Sequence, residues 1–433
     1  MIKFFKKNSG VILIIILVVL PLLNWLLLKS LALRFGNLKM TMTSLGQISG
    51  LAGMVLFSLN LILSGRFKFL DKYIFGLDRL YKNHHQLGVV AFVLLLLHPL
   101  LLAYKYWLLS FSLALSFLLP SANWAVNYGI VALALMIVLM ILTLFVKIKY
   151  PKWKLSHKFM VVVFVLAILH TFFIVSDISR DLVLRVYVLG LAILGLLSGF
   201  YRSFLSHWFN DYYNYEVAEV LPLNQNIVSI KLTTKGKPLK YQSGQFIFVS
   251  FKSDAVSQEI HPFSLCSVAG DLYVQLVVKS LGDYTGNLKN LKVGDKALLE
   301  GPFGRFFYKK AESSKQIWLA GGVGITPFYS MAKDLDDNYE VDLYYCVSDS
   351  SEAVLLKELL SIADNNKKFR VFVWASKDKG RISIEQISQY SQSLSEKDIF
   401  LCGPEPFMEN LRKRFLTSGF KNKQIHWENF NLL

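Results

Sequence analysis

The stretch NHHQLGVVAFVLLLLHPL, residues 83–100, sets His84 and His98 fourteen positions apart in an otherwise apolar run. A second apolar run carries His157 and His170, thirteen positions apart. Ionisable side chains are costly inside a membrane-length segment and point to function there. At 1.5 Å rise per residue, each pair spans roughly 20 Å along its helix. Two helices with imidazoles at two matching depths can hold two stacked metal centres. Porphyrin iron with axial histidines fits best, because neutral imidazole ligates iron and the macrocycle is apolar enough for a bundle core. A lone histidine at a helix end is ordinarily a cap or an interfacial residue, which is how His85 reads; four at matched depths are not explained that way. Fourteen residues at about 100° each return His98 to within about 40° of the His84 face. Thirteen leave His157 and His170 about 140° apart, so their helix must be overwound or tilted, or must present its imidazoles from different sides of the rings. Phe164, seven residues after His157, shares its face at mid-depth, either between the centres or as core packing.

The elements that must position these groups are apolar runs near 11–28, 46–64, 85–104, 127–147, 159–176 and 182–204. Each approaches the ~20 residues that a helix needs to cross a bilayer. The first follows Lys3, Lys6 and Lys7, but its apolar core is too long for a signal peptide and has no small-residue cleavage site, so an uncleaved span is expected. Gly46, Gly50 and Gly53 suggest close helix packing, and Asn24 and Asn60 read as interhelical hydrogen bonders. Arg66, Lys68, Lys72, Arg79 and Lys82 follow the second run, and Lys147, Lys149, Lys152, Lys154 and Lys158 follow the fourth. The gaps after the third and fifth runs are poorer, with Lys105 in one and Arg180 and Arg185 in the other; Lys29, Arg34 and Lys39 after the first are intermediate. This asymmetry puts both termini and the rest of the chain on the cytoplasmic side of the plasma (inner) membrane. It also accounts for the net charge of +17 without a nucleic-acid partner. The three cysteines, Cys266, Cys346 and Cys402, are far apart, which excludes a ferredoxin-type cluster.

Beyond the apolar half the rhythm changes. NYEVAEVLP, NIVSIKLTT, GQFIFVSF, LYVQLVVKS and KALLEGPF alternate and are separated by turns, as in a small antiparallel barrel. HPFSLCS and VKSLGDYTGNL lie in that region. From residue 316 strands alternate with helices, which argues a doubly wound parallel sheet. There GGVGITP follows a strand and opens a helix, so its amides can meet a pyrophosphate. The expected architecture is a multi-domain membrane protein: a six-helix transmembrane bundle (1–208), an antiparallel β-barrel domain (209–310) and an α/β Rossmann-like domain (311–433), the last two being the FAD and NAD(P) domains by the resemblance given next. The carboxylates of the soluble half read as solvated surface.

A six-span domain with paired histidines, then HPFS, GGVGITP and CGP in that order, resembles the ferric reductase/NADPH oxidase superfamily, and the soluble part resembles ferredoxin–NADP reductases. GLDRLYKNHHQLG (76–88) and KWKLSHKF (152–159) look like that family's entries to its third and fifth spans. The resemblance implies that His84 with His157 ligates an inner haem b, and His98 with His170 an outer one. It implies that Ser264 faces the isoalloxazine of FAD, that His261, Pro262 and Phe263 shape its site, and that Lys279, Gly282, Asp283 and Thr285 lie along its phosphates. Gly321, Gly322, Gly324, Thr326 and Pro327, with Cys402, Gly403 and Pro404, match the nicotinamide nucleotide site. Phe430 matches the aromatic that stacks on the flavin; Phe430, Cys402 and Ser264 are the expected catalytic residues.

The implied enzyme takes electrons from NADH or NADPH through FAD and two haems to an acceptor across the lipid bilayer, either dioxygen, giving superoxide, or a ferric chelate. A quinone or partner protein is the alternative acceptor. Flavin belongs between nicotinamide and haem because it handles both two-electron and one-electron transfer. Residues 105–126 hold Lys105 as their single charge, which leans toward oxygen. Ser348 and Asp349 stand where NADPH-selective relatives often place an arginine; Asp349 favours NADH, and Lys377, Lys379 and Arg381 can compensate, so both nucleotides stay open. With no calcium-binding loop, constitutive activity is expected.

Overall fold

A computed structural model describes residues 2–65, 67, 77–146, 148, 150–202 and 212–427. The chain folds as two compact units, Met1–Phe209 and Asn210–Leu433.

The first unit is helical: α1 Ile2–Leu27, α2 Leu31–Phe35, α3 Leu38–Ser64, α4 Leu77–Trp107, α5 Phe111–Phe117, α6 Trp124–Leu144, α7 Tyr150–Lys158, α8 Met160–Phe173, α9 Asp177–Arg180 and α10 Leu182–Phe200. Among the described residues six stretches are long and apolar enough to cross a membrane: Gly10–Leu27, Leu38–Ser64, Asn83–Trp107, Trp124–Leu144, Lys152–Phe173 and Leu182–Phe200. Asparagine caps set two of these starts. Asn37 accepts from Met40 N, so α3 begins well before the expected residue 46. Asn123 accepts from Ala125 N at 3.0 Å and starts α6 at Trp124 rather than 127. Helix α3 is the centre of the bundle, with residues 51–61 all buried. Val90, Leu97 and Leu100 on α4 and Val131, Val138 and Ile141 on α6 stay exposed, as lipid-facing residues do.

Of the three expected ways to reconcile His157 with His170, local overwinding occurs at Phe159, where α7 passes into α8, and recovers part of the angle. Phe159 N bonds Ser156 O at 3.0 Å, and Val162 N bonds Phe159 O at 2.9 Å. These three-residue spacings mark 3₁₀ geometry, which turns about 120° per residue and adds about 20° for each residue so wound.

The second unit has two sheets. Strands β1 Tyr212–Asn224, β2 Ile227–Thr233, β3 Phe246–Lys252, β4 His261–Ser264, β5 Tyr273–Lys279 and β6 Lys296–Phe303 form one antiparallel sheet in the order β4-β3-β6-β1-β2-β5. The expected barrel is not closed by a ladder: among the described residues none joins β4 to β5. Strand β4 is only HPFS, and Pro262 has no N–H to donate. Cys266 N, just past it, bonds Gln275 O at 2.8 Å instead.

Strands β7 Lys315–Gly321, β8 Glu340–Val347, β9 Phe369–Ala375, β10 Asp398–Cys402 and β11 Ile425–Trp427 form a parallel sheet in the order β11-β10-β7-β8-β9. Strand order reverses between β7 and β10, the place where open α/β sheets bind ligands. Helices α11 Asp283–Asn287, α12 Ile325–Lys333, α13 Leu356–Asn365, α14 Ser376–Lys379, α15 Ile384–Tyr390 and α16 Glu405–Thr417 complete the unit. Apolar clusters cover both faces of the parallel sheet, one around Trp318 and Phe328, the other around Leu319, Met408 and Phe415.

The carboxylates of this unit are not all solvated surface. Asp342 is fully buried. It pairs with Lys397 (2.6 Å) and Arg370 (2.6 Å) and accepts from Ser391 Oγ (2.6 Å). A buried carboxylate persists only when so matched, and the pairing cations come from β9 and from the residue before β10. This network sits at the strand ends opposite the candidate ligand edge and reads as structural.

Candidate functional site

The four membrane histidines meet in two pairs. The His84 and His157 ring centres are 6.1 Å apart, and those of His98 and His170 are 6.3 Å apart. Metal–imidazole bonds of about 2.0–2.1 Å, plus about 1.1 Å from nitrogen to ring centre, put two axial imidazoles about 6.2 Å apart across one ion. Each pair supplies two nitrogen ligands, and among the described residues no group of three or more His, Cys, Asp or Glu converges. The other four positions of a six-coordinate iron then fall to a macrocycle, which is how haem fits this donor set. The ring planes lie 68° and 73° from parallel.

The rings are held from behind. His98 Nδ1 bonds Gly46 O at 2.7 Å, His170 Nδ1 bonds Ala125 O at 2.7 Å, and His84 Nδ1 bonds Asn60 O at 3.2 Å. One turn beyond two of these carbonyls stands a glycine that leaves the ring its space. A Cβ on Gly50 would collide with His98 Nδ1, and one on Gly129 would lie 2.8 Å from His170 Nδ1. Gly46 and Gly53 do serve close packing, against Leu102 and Leu95. Sequence reasoning missed the carbonyl acceptors, since every residue has one; Gly129, which clears the His170 ring, was the available hint. Asn24 bonds across helices, to Asp181 Oδ1 at 3.2 Å. Asn60 contributes its carbonyl instead, and its side-chain oxygen has no partner among the described residues. Phe164 is fully buried and meets Phe57 edge-on at 4.8 Å.

A buried ion cluster lies after α1. Arg34 Nη1 bonds Asp177 at 2.6 Å and Gln47 at 3.2 Å, its guanidinium stacks 3.5 Å over Trp25, and Lys29 bonds Asp177 at 2.7 Å. Burial pushes the Asp177 carboxyl up, but the hydrogen bonds from Lys29 and Arg34 outweigh it and hold the group below its ordinary value. Lys29 and Arg34, an intermediate loop signal in the sequence, thus share one carboxylate.

In the soluble unit the two flavin-type motifs come together. The His261 ring stacks on Tyr284 at 3.9 Å, and His261 Nε2 meets Glu259 at 3.0 Å. Burial and the Glu259 charge push the Tyr284 hydroxyl up, keeping it neutral. Pro262, Phe263 and Ser264 are half-buried in β4, with Ser264 paired to Phe246. Lys279 ends β5 opposite Ile227. The Thr285 hydroxyl accepts from Leu281 N (2.9 Å) and Gly282 N (3.1 Å), folding the turn that leads from Lys279 to Asp283.

The nucleotide-type motifs also meet. A Cβ on Gly324 would strike the Cys402 carbonyl, and one on Gly403 would lie 2.9 Å from Gly321 Cα. Gly321 faces Phe407 and Pro404 at 3.0 and 3.1 Å in the same sense. Backbone therefore crosses backbone between β7 and β10, and β5 packs against the Gly322–Gly324 turn. Gly322, at φ +55°, is half-buried. Thr326 and Pro327 are buried, and Thr326 Oγ1 donates to Val323 O at 3.1 Å. Phe430 lies outside the described residues.

Three family models match in the same order: ferric reductase like transmembrane component over 49–168, FAD-binding domain over 212–321 and oxidoreductase NAD-binding domain over 318–413. Among curated relatives, flavohemoprotein B of Dictyostelium discoideum is 26% identical over 53% of this chain and 56% of its own length. Respiratory burst oxidase homolog protein B of Solanum tuberosum is 27% identical over 56% of this chain and 29% of its own. The chain thus spans about half, or less, of the length of these relatives. A flavohemoglobin structure from Malassezia yamatoensis with bound FAD and heme aligns over 90% of this chain and 97% of its own, with TM-score 0.51 and 16% identity, a likeness of fold alone. With six apolar spans and the transmembrane-component match, this is a multi-pass membrane protein. The chain belongs to the ferric reductase/NADPH oxidase superfamily, with a soluble half of the ferredoxin–NADP reductase type.

Proposed function

We propose that this protein is a transmembrane oxidoreductase that takes electrons from NADH or NADPH through FAD and two b-type haems to an acceptor on the extracytoplasmic side. The observation that carries the reading is the pair of imidazole couples at 6.1 and 6.3 Å, in one chain with FAD- and NAD-type domains. When bound, flavin accepts a hydride and haem iron accepts single electrons. The residues of this chain bind, orient and exclude water. His84 and His157 hold the inner iron, and His98 and His170 the outer one. Gly46, Asn60 and Ala125 orient three of the rings through their carbonyls. His261 to Ser264 line the flavin ring, and Lys279 to Thr285 its phosphates. The β7–β10 turns receive the dinucleotide, and Cys402, Ser264 and Phe430 surround the point of hydride transfer.

The orientation puts both ends and the soluble half in the cytoplasm of a plasma-membrane protein. The pairing of Lys29 and Arg34 with Asp177 supports this, because it ties the loop after the first span to the cation-poor loop after the fifth, on the side opposite the basic loops. Dioxygen is the acceptor the outer surface favours over a ferric chelate. In 105–126 the one charged group, Lys105, is engaged over Tyr106 at 4.6 Å and Phe117 at 5.8 Å and is poorly placed to hold an anion.

The test is spectroscopic. The purified chain in detergent, given NADH or NADPH, should show reduced b-type bands for two haems per chain without oxygen and should consume the nucleotide when oxygen is admitted. Superoxide-dismutase-sensitive cytochrome c reduction, outpacing ferric-chelate reduction, identifies the acceptor. A folded preparation with no Soret band overturns the reading.

A further inference from the structure

Three of the four imidazoles share one device and the fourth departs from it. His84, His98 and His170 each direct Nδ1 at a backbone carbonyl of a neighbouring helix. The residue one turn beyond that carbonyl is small in each case: Ser64, Gly50 and Gly129. His157 Nδ1 is buried and has no hydrogen-bond partner among the described residues. Its ring is instead stacked on Trp153, with planes 17° apart and centres 5.2 Å apart. Trp153 precedes His157 by four residues on α7, so the two share a helix face.

Helix α6 explains the difference. It holds His170 through Ala125, near its start. His157 lies thirteen residues from His170, so its acceptor on α6 would fall near Val138, with Leu142 one turn further on. The stretch VALALMIVLMILTL, 131–144, contains no glycine or serine. Bulky side chains there keep an imidazole from reaching a carbonyl whose own helix bond is already made.

We propose that Trp153 is a positioning residue for the inner haem, fixing the His157 ring by stacking where the other three rings are fixed by a carbonyl, and that the inner haem is for that reason the more easily reduced of the two. The second clause follows from ligand basicity. An imidazole whose Nδ1–H donates to a carbonyl takes on imidazolate character and binds ferric iron more strongly, which lowers the reduction potential. The outer pair has two such bonds, both 2.7 Å; the inner pair has one, at 3.2 Å. An electron shared between the two should favour the inner iron about tenfold, which is 59 mV for a one-electron couple. The final step outward is then driven by the acceptor's removal of the electron rather than by a downhill drop between haems.

This rests on the two-haem reading above, and the experiment separates the two. In redox titrations of the purified full chain, His170→Leu should retain one haem that titrates at the higher of the two wild-type potentials. His157→Leu should retain one at the lower. Trp153→Leu should leave the outer haem as it was, lower the inner potential as water admitted to the space of the lost indole accepts from His157 Nδ1, and change the inner low-spin ferric EPR signal. That signal reports the angle between ligand planes, because near-perpendicular imidazoles bring the two highest filled iron orbitals close together. Trp153→Phe keeps a stacked ring and should keep both readouts. It also decides the case in which Trp153→Leu loses the inner haem outright: retention by the Phe variant supports positioning, and equal loss by both overturns it. The proposal likewise fails if His170→Leu titrates at the lower potential, or if Trp153→Leu holds two haems with unaltered potentials and EPR. A wild-type chain without haem would defeat the earlier reading instead.

Discussion

The membrane unit makes its candidate site from side chains, whereas the nucleotide edge of the soluble unit makes its own from backbone. In α4, α7 and α8 the main-chain groups are committed to the helix, so it is imidazoles that reach out from them, and the carbonyls that steady three of the four lend only a second lone pair. Between β7 and β10 the strands end, and glycines let one turn cross another at van der Waals distance. A site of the first kind fails when one rare residue is lost. A site of the second kind fails when something is added.

Loss should have the largest effect. His98→Leu or His170→Leu removes one iron ligand outright and is expected to halve haem content from two to one per chain and abolish acceptor reduction, while flavin reduction by NAD(P)H persists. Pyridine haemochrome analysis and stopped-flow flavin bleaching read the two halves separately; unaltered haem content would break the pairing. Addition comes next. Gly324→Val drives a side chain into the Cys402 carbonyl and should shift the turn by an ångström or so, slowing flavin reduction by about 100-fold. Haem content and dithionite bands should stay normal, because the substitution lies in the other unit. A smaller addition tests the membrane site in the same way. A Cβ at Gly129 would sit 2.8 Å from His170 Nδ1, so Gly129→Ala should weaken the ring's hold on Ala125 O and speed outer-haem loss to a haem scavenger about tenfold. An unchanged rate would show that the carbonyl bond is dispensable.

The contrast also explains what the sequence disclosed. Histidines stand out against VVAFVLLLL, and the glycines of GGVGITP stand out beside a strand, so both sites were visible by residue type. Their supports were not. A carbonyl acceptor has no sequence signature; only the space made for the ring does, and Gly50 read as helix packing when it also seats His98. Trp153 was open to view at the i−4 position of His157, yet an aromatic near a membrane boundary reads as an anchor. Asp342 lies in the apolar strand EVDLYYCV, yet it reads with the other carboxylates as solvated surface because its cation Lys397 is 55 residues away. The antiparallel strands read from the sequence are present, with HPFS added as a sixth, but their number and period do not say whether the last edge pairs to close a barrel.

The smallest expected effect probes an exposed side chain at the backbone-built site. Asp349 follows β8, where a carboxylate can bond the ribose hydroxyls of NADH and repel the 2′-phosphate of NADPH. Its Oδ1 accepts from Ser351 N (3.0 Å) and Oγ (2.8 Å), and Oδ2 faces Lys377 Nζ at 3.2 Å. The Ser351 amide, then its hydroxyl and Lys377, hold the carboxyl down to about 2. A depressed folded-state value means the stabilisation is present above the ordinary 3.8 and lost only as pH falls toward 2, so Asp349 stays charged throughout any practical assay. A phosphate monoester instead gains its second charge near pH 6. Repulsion should therefore grow as pH rises through about 6, and the ratio of the KM for NADPH to that for NADH should rise with it. Asp349→Ser removes the repelling charge and frees Lys377 for the phosphate, and should lower that ratio about tenfold and flatten its pH dependence. A ratio indifferent to both the substitution and pH would move nucleotide choice away from the end of β8, toward Lys379 and Arg381 beyond β9, and would leave the backbone turns as the part of the site common to both nucleotides.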